Sequence, residues 1–348
     1  MSRAPTAERP RVHEVAEGLY GMVLPLPYDP RTVNVFVEVG EDGGAILFDC
    51  GTDDRACRET LVASLREIGV GPERVTDVVL THAHVDHYGL AGWMAAEHGS
   101  RIHLHRGETL ILQRHWRPDW WIPEYAAYMV RHGVEPELAE ELAALEDWRY
   151  TLHPLEGFLP IEHGDLIAGP RRRWRVVHTP GHSSGHVSLW DEESGLMVGG
   201  DHVLAVYSPH LRHVPGEMTD PLGSYLQSLD RVEDLAPDRI LPGHGKPIED
   251  LAAVAAELRA GHRRVLADVH AALGSPRSAR EVTLGLHGDE LPAFHLRLAL
   301  PQVTVYLRHL EARGEARAHL EGGVIHYLAT AADDRSGGRA PVSLEDSF

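Results

Sequence analysis

The sequence has few cysteines and no long apolar run. Its 348 residues include two cysteines, Cys50 and Cys57, which are seven positions apart and form no CxxC pair. Paired cysteine motifs are therefore excluded, and the composition favours a reduced, cytoplasmic protein. No apolar stretch approaches the ~20 residues that cross a bilayer, and the first ten residues lack the apolar core of a signal peptide. We therefore expect no membrane partner.

Positive charge is scarce as well. The sequence contains 33 lysine and arginine residues against 52 aspartate and glutamate residues, which gives a formal net charge of -19, and Lys246 is its only lysine. An acidic surface disfavours nonspecific binding to phosphate backbones, although it leaves room for a local basic patch. We therefore expect a small-molecule substrate, with nucleic acid as a less favoured partner.

Histidine is abundant, and it is concentrated at one place. Of the 25 histidines, three fall between Thr81 and His87, together with Asp86. The apolar run Val78-Val79-Leu80 before them is typical of a buried strand, so the cluster occupies a loop at the carboxyl end of that strand. Neutral imidazole nitrogens and a carboxylate suit a metal such as zinc. The alternative is a polar loop that contains histidines by chance.

Three later segments repeat the pattern of a short apolar strand followed by a potential ligand. They are TPGH, GGD and PGHG, which contain His182, Asp201 and His244. Glycine beside each of these residues lets the backbone turn sharply and approach a metal closely. Because these segments supply the ligands that the first cluster lacks, a metal site is favoured over chance.

The segments HAHVDH, TPGH, GGD and PGHG occur in this order, and together they resemble the metallo-β-lactamase superfamily of hydrolases. The resemblance extends from about Val12 to about Asp250 and is to the branches that contain glyoxalase II and the β-lactamase-like endoribonucleases. It implies an α/β fold, a four-layer αββα sandwich with a dinuclear metal site at one edge. The implied cofactors are two divalent metal ions, with zinc preferred and iron or manganese as alternatives.

The resemblance also implies which residues form the site. The first metal would be held by His82, His84 and His182. The second would be held by Asp86, His87 and His244, with Asp201 as a bridge between the two metals. Asp86 and Asp201 are the expected catalytic carboxylates. Asp49 is expected either to orient a ligand or to cap the following turn, and His186 to form hydrogen bonds near the site.

A long segment, 106–159, interrupts the family pattern. It is predicted to be helical, with breaks at Pro118, Pro123 and Pro136. It contains four of the seven tryptophans, namely Trp116, Trp120, Trp121 and Trp148. We interpret it as a helical cap in which Trp120 and Trp121 contact the substrate, with Tyr207 in a later loop as a further candidate. The alternative is that these aromatic side chains pack the insertion onto the sandwich or form a dimer contact.

The domain organisation follows from the same patterns. Residues 1–250 are predicted to form the catalytic domain, and 106–159 are its insertion. Residues 251–330 are predicted to form three helices and a hairpin, which resembles a winged-helix domain. In an acidic chain, packing, a lid or a possible homodimer contact is favoured over DNA reading for this domain. Residues 331–348 are polar and rich in glycine, and they are predicted to be disordered.

The expected chemistry is hydrolysis. Two metals held in this way would share a bridging hydroxide, which is nucleophilic at neutral pH without a serine or cysteine. The acidic charge and the aromatic insertion favour a small or medium organic ester, with an acyl thioester or a lactone as the first choice. The alternative is a metal-dependent endoribonuclease or phosphodiesterase, which the winged-helix resemblance favours. A third hypothesis, a nucleic-acid-binding regulator that uses the core as a scaffold, conflicts with the complete ligand set.

Overall fold

The computed structural model describes residues 11–147, 152–205 and 208–330, which contain two large mixed β-sheets packed face to face. In the first sheet the strands lie side by side in sequence order. Strands 1 to 4 run antiparallel and strands 4 to 7 run parallel. The strands are β1 (Arg11–Ala16), β2 (Leu19–Pro25), β3 (Thr32–Val39), β4 (Ala45–Phe48), β5 (Val75–Val79), β6 (Arg101–His105) and β7 (Leu159–Ile161).

The second sheet has the order β12-β11-β10-β9-β8, and its neighbouring strands are antiparallel except for the parallel pair β11 and β12. The strands are β8 (Leu166–Ala168), β9 (Arg173–His178), β10 (Val187–Asp191), β11 (Leu196–Gly200) and β12 (Arg239–Pro242). As a result β9, β11 and β12 all point in one direction. Residues placed directly after these strands therefore gather at the same edge of the sheet.

Apolar side chains that alternate along the strands fill the space between the two sheets. Phe48 of the first sheet meets Trp174 of the second edge-to-face, with ring centroids 4.8 Å apart. The indole N–H of Trp174 donates to the buried carboxylate of Glu38 at 3.0 Å, and Arg172 donates to the same carboxylate. The negative charge of Glu38 is thereby paired with Arg172. A buried charge needs such a partner, because taking it out of water is costly.

Helices cover the outer faces of both sheets. On the first sheet lie α1 (Arg55–Glu67), α2 (Val85–Tyr88) and α3 (Ala91–His98). Asp54 caps α1 by accepting from the backbone N–H of Ala56 at 2.8 Å, and Leu61 and Leu65, four residues apart, lie on its buried face. The later helix α7 (Pro221–Leu235) covers the second sheet. The predicted αββα sandwich is therefore confirmed.

The insertion between β6 and β7 is helical within its described residues. It contains α4 (Thr109–Trp116), α5 (Pro118–Arg131) and α6 (Pro136–Ala144). Pro118 and Pro136 begin helices, where a missing N–H costs nothing. The predicted break at Pro123 is wrong, because α5 continues through it and loses only one hydrogen bond near its start. Trp148 lies outside the described residues.

After β12 come α8 (Leu251–Ala271), β13 (Arg277–Ser278), α9 (Ala279–His287), α10 (Ala293–Ala312), β14 (Ala316–Glu321) and β15 (Val324–Ala329). This is the predicted series of helices followed by a hairpin. Their apolar side chains share one cluster with α7 and the second sheet, in which Val269 and Val303 join Tyr225 and Met197. The winged-helix assignment and the boundary at residue 250 stay predictions.

None of the helices within the described ranges is long and apolar enough to cross a bilayer. The predicted disordered tail, residues 331–348, lies outside the described part of the chain.

Candidate metal centre

The strand ends of both sheets bring the predicted ligands together at one edge of the sandwich. The loop after β5 carries the histidine cluster of residues 82–87. His182 follows β9, Asp201 follows β11 and His244 follows β12. The seven side chains from these four loops all belong to groups whose ligand atoms lie within 4.8 Å of one another.

Three imidazoles form the first group. The Nε2 atom of His82 lies 3.0 Å from Nδ1 of His84 and 3.2 Å from Nε2 of His182. Burial and the neighbouring imidazoles lower the pKa of His82 and of His84 well below the usual value. The rings are therefore neutral, which is the state that binds a metal.

The second group consists of Asp86, His87 and His244. The Oδ2 atom of Asp86 lies 3.3 Å from Nε2 of His244 and 3.8 Å from Nε2 of His87. Burial acts to lower the pKa of both histidines, but the neighbouring carboxylates, chiefly Asp201, outweigh it and raise that pKa. The carboxylates thus favour positive charge at this position, and a cation can supply it in place of the protons.

Asp201 lies between the two groups. Its Oδ2 atom is 3.7 Å from Nε2 of His182 in the first group and 3.5 Å from Nε2 of His244 in the second. Its Oδ1 atom is 3.5 Å from Nε2 of His87. A single carboxylate therefore reaches ligand atoms of both groups.

The orientation of the histidine rings fits a pair of divalent cations. Nδ1 of His87 is bound to a carboxylate oxygen of Asp49, and Nδ1 of His182 and of His244 face the backbone carbonyls of His210 and Thr32 at 2.9 and 2.8 Å. These contacts leave each Nε2 directed at the cluster. Nε2 of His87 and Oδ1 of Asp201 are buried and have no hydrogen-bond partner among the described residues. Buried polar atoms without partners are costly, and bound cations would satisfy them.

Comparison with known proteins agrees with this geometry. Residues 28–244 match the model of the metallo-beta-lactamase superfamily. The chain belongs to this superfamily. Its members usually bind divalent metals, and the histidine and aspartate groups described above are present here.

Individual relatives cover most of the chain. A metallo-beta-lactamase family protein from Thermus thermophilus has a TM-score of 0.80 and 30% identity, over 91% of this chain and 100% of that one. The probable metallo-hydrolase YqjP of Bacillus subtilis is 28% identical over 320 residues, 89% of this chain and 98% of its own. The atrochrysone carboxyl ACP thioesterase AacuM of Aspergillus aculeatus is 30% identical over 210 residues, 57% of this chain and 64% of its own.

Two residues named from the superfamily resemblance lie directly behind the ligands. Asp49 has a positive φ of 59° and accepts from the backbone N–H of Thr81 at 2.8 Å, while its other oxygen binds His87. His186 is buried; its Nε2 accepts from the backbone N–H of Asp201 at 3.0 Å, and Nδ1 contacts Thr179. Asp49 thus orients a histidine, and His186 holds the Asp201 loop.

Glu108 is a site residue that the sequence did not reveal. It is fully buried at the start of the insertion. One carboxylate oxygen accepts from the backbone N–H of Ala83 at 2.8 Å, and the other accepts from that of Gly185 at 2.6 Å. It therefore ties the loop of the first two histidines to the loop of His182. A charged residue at a helix start gives no sequence signal for such a contact.

The predicted aromatic substrate residues are separated in the structure. Trp121 is buried and lines a small cavity beside His84, whereas Trp120 is 39% exposed and is not among the lining residues. Trp121 stacks on Tyr125, and Tyr125 stacks on Tyr128, with centroids 5.2 and 5.8 Å apart. Most of these rings therefore pack the insertion, as the alternative interpretation holds. Tyr207 lies outside the described residues.

Proposed function

We propose that the protein is a dinuclear metal-dependent hydrolase that cleaves acyl thioesters. One observation supports this most strongly, the position of Asp201 within 3.7 Å of ligand nitrogens from both groups. When bound, two divalent ions would supply a nucleophilic water at neutral pH and polarise the scissile carbonyl. We propose zinc, because imidazole and carboxylate donors suit it, although the same donors accept iron or manganese.

The chain's own residues would have distinct tasks. His82, His84 and His182 would hold one ion. Asp86, His87 and His244 would hold the other, and Asp201 would fix the spacing between the two. The side chain of Asp86 is 14% exposed and that of Asp201 is 9% exposed. We assign to the Asp86 oxygen that does not hold the ion the acceptance of a proton from the attacking water.

The nucleophile is water in this proposal, since neither cysteine is suited to attack. Both cysteines are buried, and burial raises the pKa of the Cys57 thiol to about 12 and that of the Cys50 thiol well above its usual value. Cys50 donates from Sγ to the backbone carbonyl of His87 at 3.2 Å. Thiols in such surroundings are structural.

A thioester is preferred over a lactone because of the leaving group. The water oxygen bonds to the acyl carbon, the C–S bond breaks, and the thiolate leaves with its electron pair while the new acid releases a proton. A thiolate is a good leaving group, and it is a soft ligand that zinc accepts directly. The relative AacuM, named an acyl carrier protein thioesterase, supports this choice at 30% identity over part of the chain.

The arginines that could form a local basic patch do not support the nuclease alternative. Arg171 pairs with Glu17 and Arg172 with Glu38, at 3.1 and 3.0 Å. Arg171 and Arg172 lie before the start of β9, whereas the His182 loop follows its end. Roughly 17 Å of strand therefore separates these two arginines from the site. Arg308, in α10, pairs with Glu311 at 2.9 Å. A polyanion would gain little from guanidinium groups that are already paired or distant.

One zinc-loaded preparation, tested on acyl thioesters and on single-stranded RNA, decides between the two functions. We expect thioester turnover that falls to background in His84→Ala and Asp86→Ala. The exposed His287 provides a matched control, since His287→Ala should retain full activity. RNA cleavage that is lost in Asp86→Ala, with no thioester turnover by the wild type, would overturn the proposal in favour of the nuclease.

A further inference from the structure

A small cavity adjoins His84 between the insertion and the segment that follows Asp201. Its lining includes Arg114, Trp121 and Glu146 from the insertion and Arg212 and Glu217 from the later segment. Its volume is about 30 Å³. At roughly 10–15 Å³ for each water, that is room for two or three waters or for one carboxylate group. The cavity can therefore take the end of a bound molecule whose other end is at the metal centre.

Two of the arginines in this region each pair directly with a glutamate. Arg114 pairs with Glu217, donates to the backbone carbonyl of Pro215 at 2.6 Å, and lies 4.0 Å above the ring of Trp121. Arg297, from α10, pairs with Glu146. Both guanidinium groups act as structural links between the insertion and the rest of the chain.

Arg212 is different, because its guanidinium is only loosely held. Its nearest carboxylate, that of Glu146, is 3.6 Å away and is already bound by Arg297. The Nε atoms of all three arginines are buried without a hydrogen-bond partner among the described residues, so it is the pairing of the outer nitrogens that sets Arg212 apart. The cluster thus places three arginines against two glutamates. Within the described part of the chain, one positive charge of this cluster therefore lacks a matching carboxylate, which is unfavourable unless a ligand provides one.

The backbone fixes Arg212 relative to the metal centre. Arg212 is two residues after His210, whose carbonyl accepts from Nδ1 of His182 at 2.9 Å. Two residues span at most about 7 Å. The Arg212 side chain is 23% exposed, and together with His84 it lines the cavity. A carboxylate bound to Arg212 would therefore lie only a few carbon atoms of the ligand away from a carbonyl group bound at the metal centre.

We infer that Arg212 binds a carboxylate at the far end of the acyl group, so that the preferred substrates are thioesters of short dicarboxylic acids. The planar guanidinium fork matches a carboxylate in two parallel hydrogen bonds, which Glu146 at 3.6 Å does not satisfy. The inference rests on the proposed function for the scissile bond. The carboxylate site itself rests only on the cavity and its charges.

A binding measurement tests the carboxylate site without catalysis. Succinate and butyrate have the same carbon chain length, but succinate carries a second carboxylate. Calorimetric titration of the zinc-loaded protein should show succinate binding roughly 10- to 100-fold more tightly than butyrate. In Arg212→Gln this preference should disappear, and in Arg212→Lys, which keeps the charge without the fork, it should be intermediate. Equal binding of the two acids by the wild type, or a preference unchanged in Arg212→Gln, would overturn the inference.

Arg55→Gln is the matched control, since Arg55 is an exposed arginine of α1 that lies outside this cluster. It should retain the preference for succinate. If Arg212→Gln proves unstable by thermal unfolding, Arg212→Lys gives the comparison, and a full wild-type preference for succinate in that variant would refute the role of the fork.

Kinetics separate this inference from the proposed function. Succinyl and butyryl thioesters of N-acetylcysteamine are compared by kcat/KM in the wild type and in Arg212→Gln. A succinyl preference that Arg212→Gln abolishes supports both. Turnover of both thioesters without such a preference overturns the inference and leaves the proposed function standing. An Arg212-dependent preference for succinate in binding, with neither thioester cleaved, supports the carboxylate site and overturns the thioesterase.

Discussion

The Oδ2 atom of Asp49 lies 2.8 Å from Nδ1 of His87, in a contact that is buried behind the candidate metal centre. The contact fixes the His87 ring so that Nε2 faces the centre. Asp49 is itself held by Thr81, through the backbone N–H and the hydroxyl, each at 2.8 Å. A carboxylate behind a metal-binding histidine orients the ring and increases its basicity.

We expect Asp49→Asn to weaken the binding of one metal by roughly 10- to 100-fold. Asparagine tolerates the positive φ of this position, so the backbone should be preserved. Its amide can still accept from Thr81, but it no longer offers a carboxylate to His87. Competition with a chelator measures the affinity. Asp42→Asn, in an exposed turn, is the control, and equal affinities in both variants would contradict the assigned role.

Glu108→Gln should lower both stability and metal retention. Both carboxylate oxygens accept backbone N–H groups, whereas glutamine must present its NH2 to one of these donors. A buried donor left without a partner costs about 1–3 kcal/mol. Urea unfolding and metal analysis after dialysis measure the two effects. Glu97→Gln, at an exposed position of α3, should change neither, and a Glu108 variant that behaves like it would refute the link between the two loops.

The sequence predicted the sandwich and the meeting of the four ligand loops, because each ligand directly follows a short apolar strand. Parallel strand direction then places those loops together. Glu108 and Arg212 were not found, since their contacts depend on how distant segments pack. Glu108 binds backbone groups 25 and 77 residues away. Asn34, which donates to the carbonyls of Pro242 and Gly245 beside His244, did leave a signal as a polar residue within an apolar strand.

The burial of side chains in the insertion could not be predicted from the sequence either. Its aromatic content is visible in the sequence, but whether a ring is buried or exposed depends on α10, which packs against the insertion through Leu296 and Leu300. Zinc as the metal, a cytoplasmic location and a homodimer stay predictions, because none of them follows from the packing of a single chain.

Trp121→Ala and Trp120→Ala should differ sharply in stability. Trp121 is buried between the Arg114 guanidinium and the Tyr125 ring, so its removal leaves a cavity that costs about 3–5 kcal/mol. Trp120 is 39% exposed, and its loss should cost less than about 1 kcal/mol. Urea unfolding of the two neighbouring variants measures the difference. Equal losses would show that the insertion does not pack as described.

Asp77→Asn should make the stability of the protein depend less on pH. Burial alone would raise the pKa of Asp77, but hydrogen bonds from His103, Arg101 and Thr76 outweigh it and lower that pKa well below its usual range. The ionised side chain therefore stabilises the fold above about pH 4, and this contribution is lost as the pH falls towards the lower, folded-state pKa. Tm of the variant should be lower than that of the wild type at neutral pH, and the gap should close in acid. A gap that is constant with pH would contradict this.

The metal content of the purified protein tests the central claim most directly. Elemental analysis of wild-type protein, purified without chelators and supplied with zinc, should give about two equivalents per chain. Asp201→Ala should lose metal from both positions, because its carboxylate reaches ligand atoms of both groups, whereas His82→Ala should mainly lose one equivalent. A wild type that retains no metal, or a metal content that is the same in the wild type and in both variants, would contradict the assignment of these residues to a dinuclear centre.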